Sequence, residues 1–263
     1  MDNNSPIGFF DSGVGGTSIW KEVHALLPKE HTIYLADSKN APYGNRSASE
    51  IIALSIKNTE KLLKLDCKLI VVACNTATTN AIDKLRNSYA VPIVGIEPAI
   101  KPAALKTSTK SIGILATKGT LSSALFHQTA SAFTKDISVV EIVGEGLVPL
   151  IEKGELDSPE MMELLQKYTA PMLAANIDYL VLGCSHYPYL LPALRTLLPA
   201  HIQIIDSGGA VARQTDHLLT INNLKRAAQT PPNLSFYTNT NTDTLQFLLK
   251  SFAGPISVET LDF

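Results

Sequence analysis

Two of the three cysteines in this chain sit in polar loops that open just past apolar runs: Cys74 in VVACNTAT and Cys184 in LVLGCSHYP. A free cysteine is usually a small buried hydrophobe, and for either residue alone that reading leads. As a pair they point elsewhere. Each thiol follows an apolar run, at equivalent points of two related segments, beside Asn75-Thr76 and Ser185-His186. A thiol titrates near pH ~8.5, close enough to neutrality to take or give a proton, and neighbouring groups can shift it. Two such groups facing one carbon from opposite sides would remove a proton from one face and return one to the other, which is the chemistry of racemisation or epimerisation. His186 is placed to share the proton of Cys184. Asp11, at the end of IGFFD, is placed to orient the other thiol. The plainer readings are a loop histidine and a helix N-cap, and both are compatible with that chemistry. Cys67, in LDCKL with no polar partner set, reads as structural.

The elements that must carry these residues follow from the apolar pattern. Strands are expected at 6–10, 32–36, 68–73 and 92–96, alternating with helices at 17–27, 47–64 and 77–88. The pattern then repeats, with strands at 111–115, 138–143, 179–183 and 202–206 and a long helix at 158–175. Strand–helix alternation is the signature of a parallel sheet covered on both faces. Equivalent elements lie about 105 to 111 residues apart, too far for a solenoid unit of about 20–50 residues but right for a small domain. The expected fold is therefore α/β, with two similar domains built on parallel sheets, related by a pseudo-twofold axis and enclosing the site between them. The C-terminal stretch adds a helix from 210, strands at 234–238 and 256–260 and a helix near 242–250, and is expected to return to the first unit. The division is 1–98 plus 208–263 for the Cys74 side and 99–207 for the Cys184 side. Ligand sites in such sheets form beyond the carboxyl ends of the strands, where both thiols fall.

Composition bounds the partners. The chain has 263 residues, is 45% apolar and 17% charged, and carries a net charge of -2. That gives no electrostatic footprint for nucleic acid or an acidic membrane. No run is long enough to span a bilayer, and MDNNSP lacks the regions of a signal peptide. A cytoplasmic protein with reduced thiols is expected. Three scattered cysteines do not make a disulfide framework, and no Cys/His spacing suits zinc. The expected partner is a small molecule in a pocket.

DSGVGGTS at 11–18 follows a strand and opens a helix, like a dinucleotide-binding turn, and Asp37 even stands where a ribose-binding acid would. The full glycine pattern needs glycine at position 18, where Ser18 stands, and there is no phosphate-loop lysine. The loop instead reads as a carboxylate site made of backbone N–H groups and the Ser12 hydroxyl. NAPYGN at 40–45, with Tyr43 and Gly44, reads on its own as a surface turn, and Glu152 on its own as a solvated charge. No lysine sits in a pyridoxal phosphate motif.

The set IGFFDSGVGG, YLADSKNAPYG, VVACNTAT, IVGIEPA, VPLIEKGEL, LVLGCSHYP and IIDSGGAVAR resembles the bacterial glutamate racemases, of the cofactor-independent aspartate/glutamate racemase superfamily. The resemblance runs in order from Pro6 to about Arg213. It implies two α/β domains with the site between them and a two-thiol racemisation of glutamate without cofactor or metal. Cys74 would take the α-proton of D-glutamate and Cys184 that of L-glutamate. Asp11 would assist Cys74, with Glu152 and His186 assisting Cys184. Substrate contacts would come from Asp11, Ser12, Tyr43, Gly44, Asn75, Thr76, Ser185 and His186. D-glutamate would feed peptidoglycan synthesis, and a homodimer is expected. Ser185 stands where threonine is usual, Thr17 where leucine is common, and ADS at 36–38 where GDT is frequent. Three readings compete. An aspartate racemase of the same superfamily would share both cysteines. A two-lobed binding protein would not need paired thiols. A redox pair would favour Cys-x-x-Cys spacing, which neither motif has.

Overall fold

The computed structural model describes residues 2–263. The chain begins β1 (Ile7–Asp11), α1 (Thr17–Leu26), β2 (Thr32–Ala36), α2 (Ala48–Lys64), β3 (Leu69–Val72), α3 (Asn75–Ser88), β4 (Ile93–Gly95) and α4 (Ile100–Lys106). It continues through β5 (Ser111–Ala116), α5 (Lys118–Leu121), α6 (Ala124–Phe133), β6 (Ser138–Val143), α7 (Leu147–Glu152), α8 (Pro159–Ala174), β7 (Tyr179–Gly183), α9 (Leu191–Leu197) and β8 (Gln203–Ile205). It ends with α10 (Gly208–Ile221), β9 (Leu234–Thr238), α11 (Asp243–Leu249) and β10 (Ser257–Thr260).

Two all-parallel sheets result. One runs β10-β9-β2-β1-β3-β4 and the other β6-β5-β7-β8. Counted from its own first strand, each contains the order 2-1-3-4, so the sequence repeat is a topological repeat. In both, the first and third strands lie side by side: Ile7 is level with Leu69, and Ile112 with Tyr179. Chain connections leave that pair of strands in opposite directions, which opens a crevice beyond their carboxyl ends. Asp11 ends β1, Cys74 follows β3, Ala116 ends β5 and Cys184 follows β7.

The strands are apolar because both faces are covered. Along β1, Ile7 and Phe9 pack with Trp20, Tyr34 and Phe236 on one face, while Phe10 packs with Leu35, Ile70 and Val72 on the other. The helices begin where their caps dictate. Ser47 and Glu50 form a reciprocal capping box for α2, and Ser158 caps α8 with Pro159 in its first turn, each cap satisfying N–H groups that lack intrahelical partners. One boundary departs from the apolar pattern. α3 starts at Asn75 rather than 77 because Cys74 itself is the N-cap, its sulfur accepting from Ala77 N–H at 3.4 Å. The helices α4, α5, α6 and α9 are further elements that the apolar pattern did not announce. No helix among the described residues is long and apolar enough to cross a membrane.

At the opposite end of the first sheet a charged pair is buried. Lys68 Nζ lies 2.6 Å from Glu30 Oε2, with the lysine side chain fully covered. Lys68 also donates to Asn3 O, and Arg226 N–H donates to Glu30 Oε1. The pair therefore ties the N-terminal segment, β3 and the C-terminal segment together. Removing one member leaves an uncompensated buried charge, which costs about 3–5 kcal/mol. Lys68→Met is expected to lose stability on that scale in urea unfolding, and adding Glu30→Gln to recover part of it. A Lys68→Met protein as stable as wild type would show that the pair carries no such constraint.

Candidate active site

The carboxyl ends of β1, β3, β5 and β7 converge on one small cavity. Ser12, Cys74, Thr117 and Cys184, one from each strand end, all line it, together with Tyr43, Gly44, Asn75, Thr76, Val148, Ser185 and His186. Its volume is about 10 Å³, room for no more than one water. The two sulfurs thus line one small space from two different sheets. An adjoining cleft of about 280 Å³ shares Pro42, Gly44, Thr117 and Val148 with it and carries Lys118 and Glu145 on its wall.

Beneath the cavity the polar groups form a chain from one thiol to the other. Cys74 Sγ–H donates to Ser12 Oγ at 3.7 Å, and Ser12 Oγ–H to Asp11 Oδ1 at 3.4 Å. The second oxygen of Asp11 accepts from Ser185 Oγ–H at 3.2 Å and lies 3.9 Å from His186 Nδ1. That nitrogen lies 3.8 Å from Cys184 Sγ. His186 Nε2 contacts Glu152 Oε1 at 2.6 Å, and Glu152 Oε2 accepts from Ser38 at 3.0 Å.

Burial sets the proton affinities. It pushes the Asp11 carboxyl up, against the pull of His186 and the Gly16 N–H, with Glu152 adding to the rise. It raises the Cys74 thiol well above its ordinary value, and the negative charge of Asp11 adds to that, while the N–H of Ala77 and the Ser12 hydroxyl pull the other way. Burial opposes charge on His186, but Cys184, Glu152 and Asp11 outweigh it and hold the imidazole well above its usual range. Tyr43 is driven up by burial and by Asp37, to which it donates at 2.5 Å. Asp37 also accepts from Asn40 and Asn239, and Asn58 donates to the Tyr43 oxygen, so the 40–45 loop is clamped over the cavity. Groups with the donor set to hold a metal ion do not cluster among the described residues.

The pattern of the Asp/Glu/Hydantoin racemase family matches residues 15–215. The chain belongs to this family. It is 48% identical over 218 residues to the glutamate racemase of Ectopseudomonas mendocina, covering 82% of this chain and 83% of that one. Among solved structures, glutamate racemase isoform RacE1 of Bacillus anthracis superposes with a TM-score of 0.88 at 28% identity, over 99% of this chain and 98% of that one. Escherichia coli glutamate racemase, in complex with L-glutamate and an activator, superposes at 0.85 with 32% identity over 98% of each.

Within this family frame, the sequence-derived residues sort into two shells. Ser12, Tyr43, Gly44, Asn75, Thr76, Ser185, His186 and both cysteines line the cavity. Asp11 and Glu152 do not. Asp11 acts on it through Ser12 and Ser185, and Glu152 through His186. The glycine loop also differs from the carboxylate-binding loop expected for a ligand. Its N–H groups are taken by the protein's own side chains: Ser12 and Gly16 donate to Asp11, Val14 donates to Glu152, and Gly15 donates to His186 Nε2. The physical reason is that both carboxylates are drawn beneath the loop, where its amides are the nearest donors. Cys67 is buried beside Gly8 with its thiol pushed up to about 12.

Sequence reasoning missed Thr117 and Thr120. Their hydroxyls lie 2.8 and 3.2 Å from Thr76 Oγ1. The signal was the repeat itself, since Thr117 follows β5 as Ser12 follows β1. Asn75 has a further distinction: neither amide atom has a hydrogen-bond partner among the described residues, although the side chain is buried. Such an amide asks for a ligand.

The close approach of the glycine loop to the Cys184 side is testable. A Cβ at Gly15 would lie 2.2 Å from His186 Nδ1, so Gly15→Ala must displace the ring. Racemase activity is expected to fall roughly 10²-fold, as a misplacement of about 1 Å does, with the circular dichroism spectrum unchanged. Near-normal activity would show that the ring position is immaterial.

Proposed function

We propose that the protein racemises glutamate, with Cys74 and Cys184 exchanging protons with opposite faces of the α-carbon and no cofactor taking part. The observation that carries this is the pair of sulfurs lining a single small cavity. The names of the relatives support glutamate as substrate, since the 48% identical relative is a glutamate racemase and the E. coli structure holds L-glutamate. In this reading Cys74 takes the proton from D-glutamate and Cys184 from L-glutamate. The thiol opposite donates as the α-carbon inverts. Ser12 and Asp11 hold the proton of Cys74. His186, oriented by Glu152, holds that of Cys184. Asn75 amide groups and the Thr76, Thr117 and Ser185 hydroxyls supply the polar contacts a dicarboxylate needs, and Tyr43 and Gly44 close over it. Excluding water protects a carbanion-like state from the solvent, and with so small a cavity the two units part for substrate entry and shut for chemistry.

The same reading divides the chain into one domain of 1–98 plus 208–263 and another of 99–207, which the composition of the two sheets supports. It extends to a cytoplasmic homodimer that supplies D-glutamate for peptidoglycan synthesis.

Two experiments test it. Purified protein incubated with L-glutamate in D₂O is expected to lose optical rotation while deuterium appears at the α-carbon, and Cys74→Ala and Cys184→Ala are each expected to abolish this while glutamate still binds. Two-way turnover by either single variant would overturn the two-thiol mechanism, and exchange with aspartate but not glutamate would move the substrate. The second experiment uses pH. The charge of Asp11 raises the Cys74 thiol, so replacing it with a neutral group makes the thiolate easier to form. In Asp11→Asn, the alkaline rise of kcat/KM for D-glutamate is expected to move to lower pH, with a reduced plateau because the proton-holding carboxylate is gone. A shift to higher pH would contradict the assignment.

A further inference from the structure

The turn that carries Cys184 and His186 is pinned from the other sheet. After β7 the chain runs Cys184-Ser185-His186-Tyr187-Pro188-Tyr189-Leu190. Tyr187 and Leu190 are buried in the core beside the four-stranded sheet, but the Tyr189 ring packs against the core of the six-stranded one. Its hydroxyl lies 2.5 Å from Thr17 Oγ1, in the first turn of α1. Thr17 O–H donates to Val14 O at 2.6 Å, so Tyr189 O–H is the donor between the two hydroxyls. Next along α1, Ser18 Oγ–H donates to Ser185 O at 2.7 Å, and the Lys21 ammonium stands 5.1 Å from the centre of the Tyr189 ring. Within the turn, Tyr189 N–H donates to His186 O and Tyr187 N–H to Cys184 O. A shift at Tyr189 is therefore passed to the backbone of His186. Cys74 is held differently, by Ser12 and Ala77 N–H of its own unit.

We propose that Tyr189, anchored by the Thr17 hydroxyl, is a positioning residue for the Cys184 half of the reaction, a role that rests on the two-thiol reading above. Tyr189 does not line the cavity and acts only through the turn. Proton transfer at the α-carbon needs the sulfur within about 3–3.5 Å of its target, and His186 Nδ1 must stay beside that sulfur, from which it lies 3.8 Å. The segment from Cys184 to His186 lies beyond the end of β7 and has no strand ladder to fix it. The bonds to Thr17 and Ser18 do so from across the junction of the two units. Loss of the Tyr189–Thr17 bond lets the turn and the His186 ring sample wider positions, so transfer at Cys184 slows. Transfer at Cys74 keeps its own supports and is unaffected.

Isotope effects locate the damage where rates alone do not, because the two enantiomers are equal in free energy and kcat/KM must fall equally in both directions. With α-deuterated L-glutamate the label is transferred at Cys184, and with α-deuterated D-glutamate at Cys74. A slower transfer at Cys184 therefore enlarges the primary isotope effect on kcat/KM for L-glutamate and shrinks that for D-glutamate. Tyr189→Phe removes the hydroxyl and keeps the ring, Thr17→Val removes the acceptor, and Thr17→Ser keeps it. Tyr189→Phe and Thr17→Val are expected to lower kcat about three- to tenfold, the scale of one hydrogen bond, with KM little changed and the two isotope effects moving apart in that sense. Thr17→Ser is expected to stay near wild type, and the double variant Tyr189→Phe/Thr17→Val to be no worse than Thr17→Val. Isotope effects that stay as in wild type, or that move the same way for both enantiomers, would overturn the proposal, since a general loss of structure slows both transfers. A wild type that racemises glutamate without exchanging the α-hydrogen with solvent would instead sink the two-thiol reading beneath it.

Discussion

A carboxylate with no exposure to solvent sits at the junction of the two halves of this molecule. Asp11 is taken wholly out of water, a placement that is costly unless every lone pair finds a donor. The donors come from both sides. Ser12 and Gly16 N–H groups arrive from the loop that Asp11 itself opens, and the Ser185 hydroxyl arrives from the other sheet. Docking the second unit against the glycine loop is therefore part of what satisfies the buried charge. The same docking lets Ser18 donate to Ser185 O, Val14 N–H to Glu152, and brings the Thr17 and Tyr189 hydroxyls together. The contacts that join the two units at the site are the same ones that satisfy its buried charge.

That coupling explains how a pseudo-symmetric fold supports an unsymmetric pair of thiols. The 2-1-3-4 strand order in both sheets brings equivalent positions to one cavity. What surrounds each sulfur differs. Cys74 caps α3 and is held by a hydroxyl and an amide. Cys184 lies beside an imidazole that is itself held by Glu152 of α7. Both arrangements hold a proton within reach of the cavity, one by way of a hydroxyl and a carboxylate, the other by way of a ring that can carry charge. A racemase must treat mirror-image substrates alike in free energy, yet nothing requires it to do so with the same side chains.

The sequence carried the strands well because parallel strands buried on both faces are unbroken apolar runs: 32–36, 138–143, 179–183 and 234–238 have the same bounds in the structure. It carried the two thiols because their spacing repeats that of the strands. It did not show that Cys74 is a helix cap, since sulfur is an uncommon one, and so placed the start of α3 two residues late. It pointed the amides of the glycine loop at a ligand, because a local motif cannot reveal that Asp11 and a carboxylate 138 positions away from Val14 fill that role. Thr117 was hidden for a milder reason. Its strand was recognised, but threonine after a strand carries no chemical signature until the fold sets it against Thr76.

The claim on which this account turns is spatial, and a crystal structure of the protein with D-glutamate bound measures it directly. Both sulfurs are expected on opposite faces of the α-carbon, each about 3–3.5 Å from it as a near-attack arrangement requires, with the Thr76 and Thr117 hydroxyls and the Asn75 amide in contact with the ligand. A ligand seated with both sulfurs on one face, or with either sulfur out of reach of the α-carbon, would contradict it.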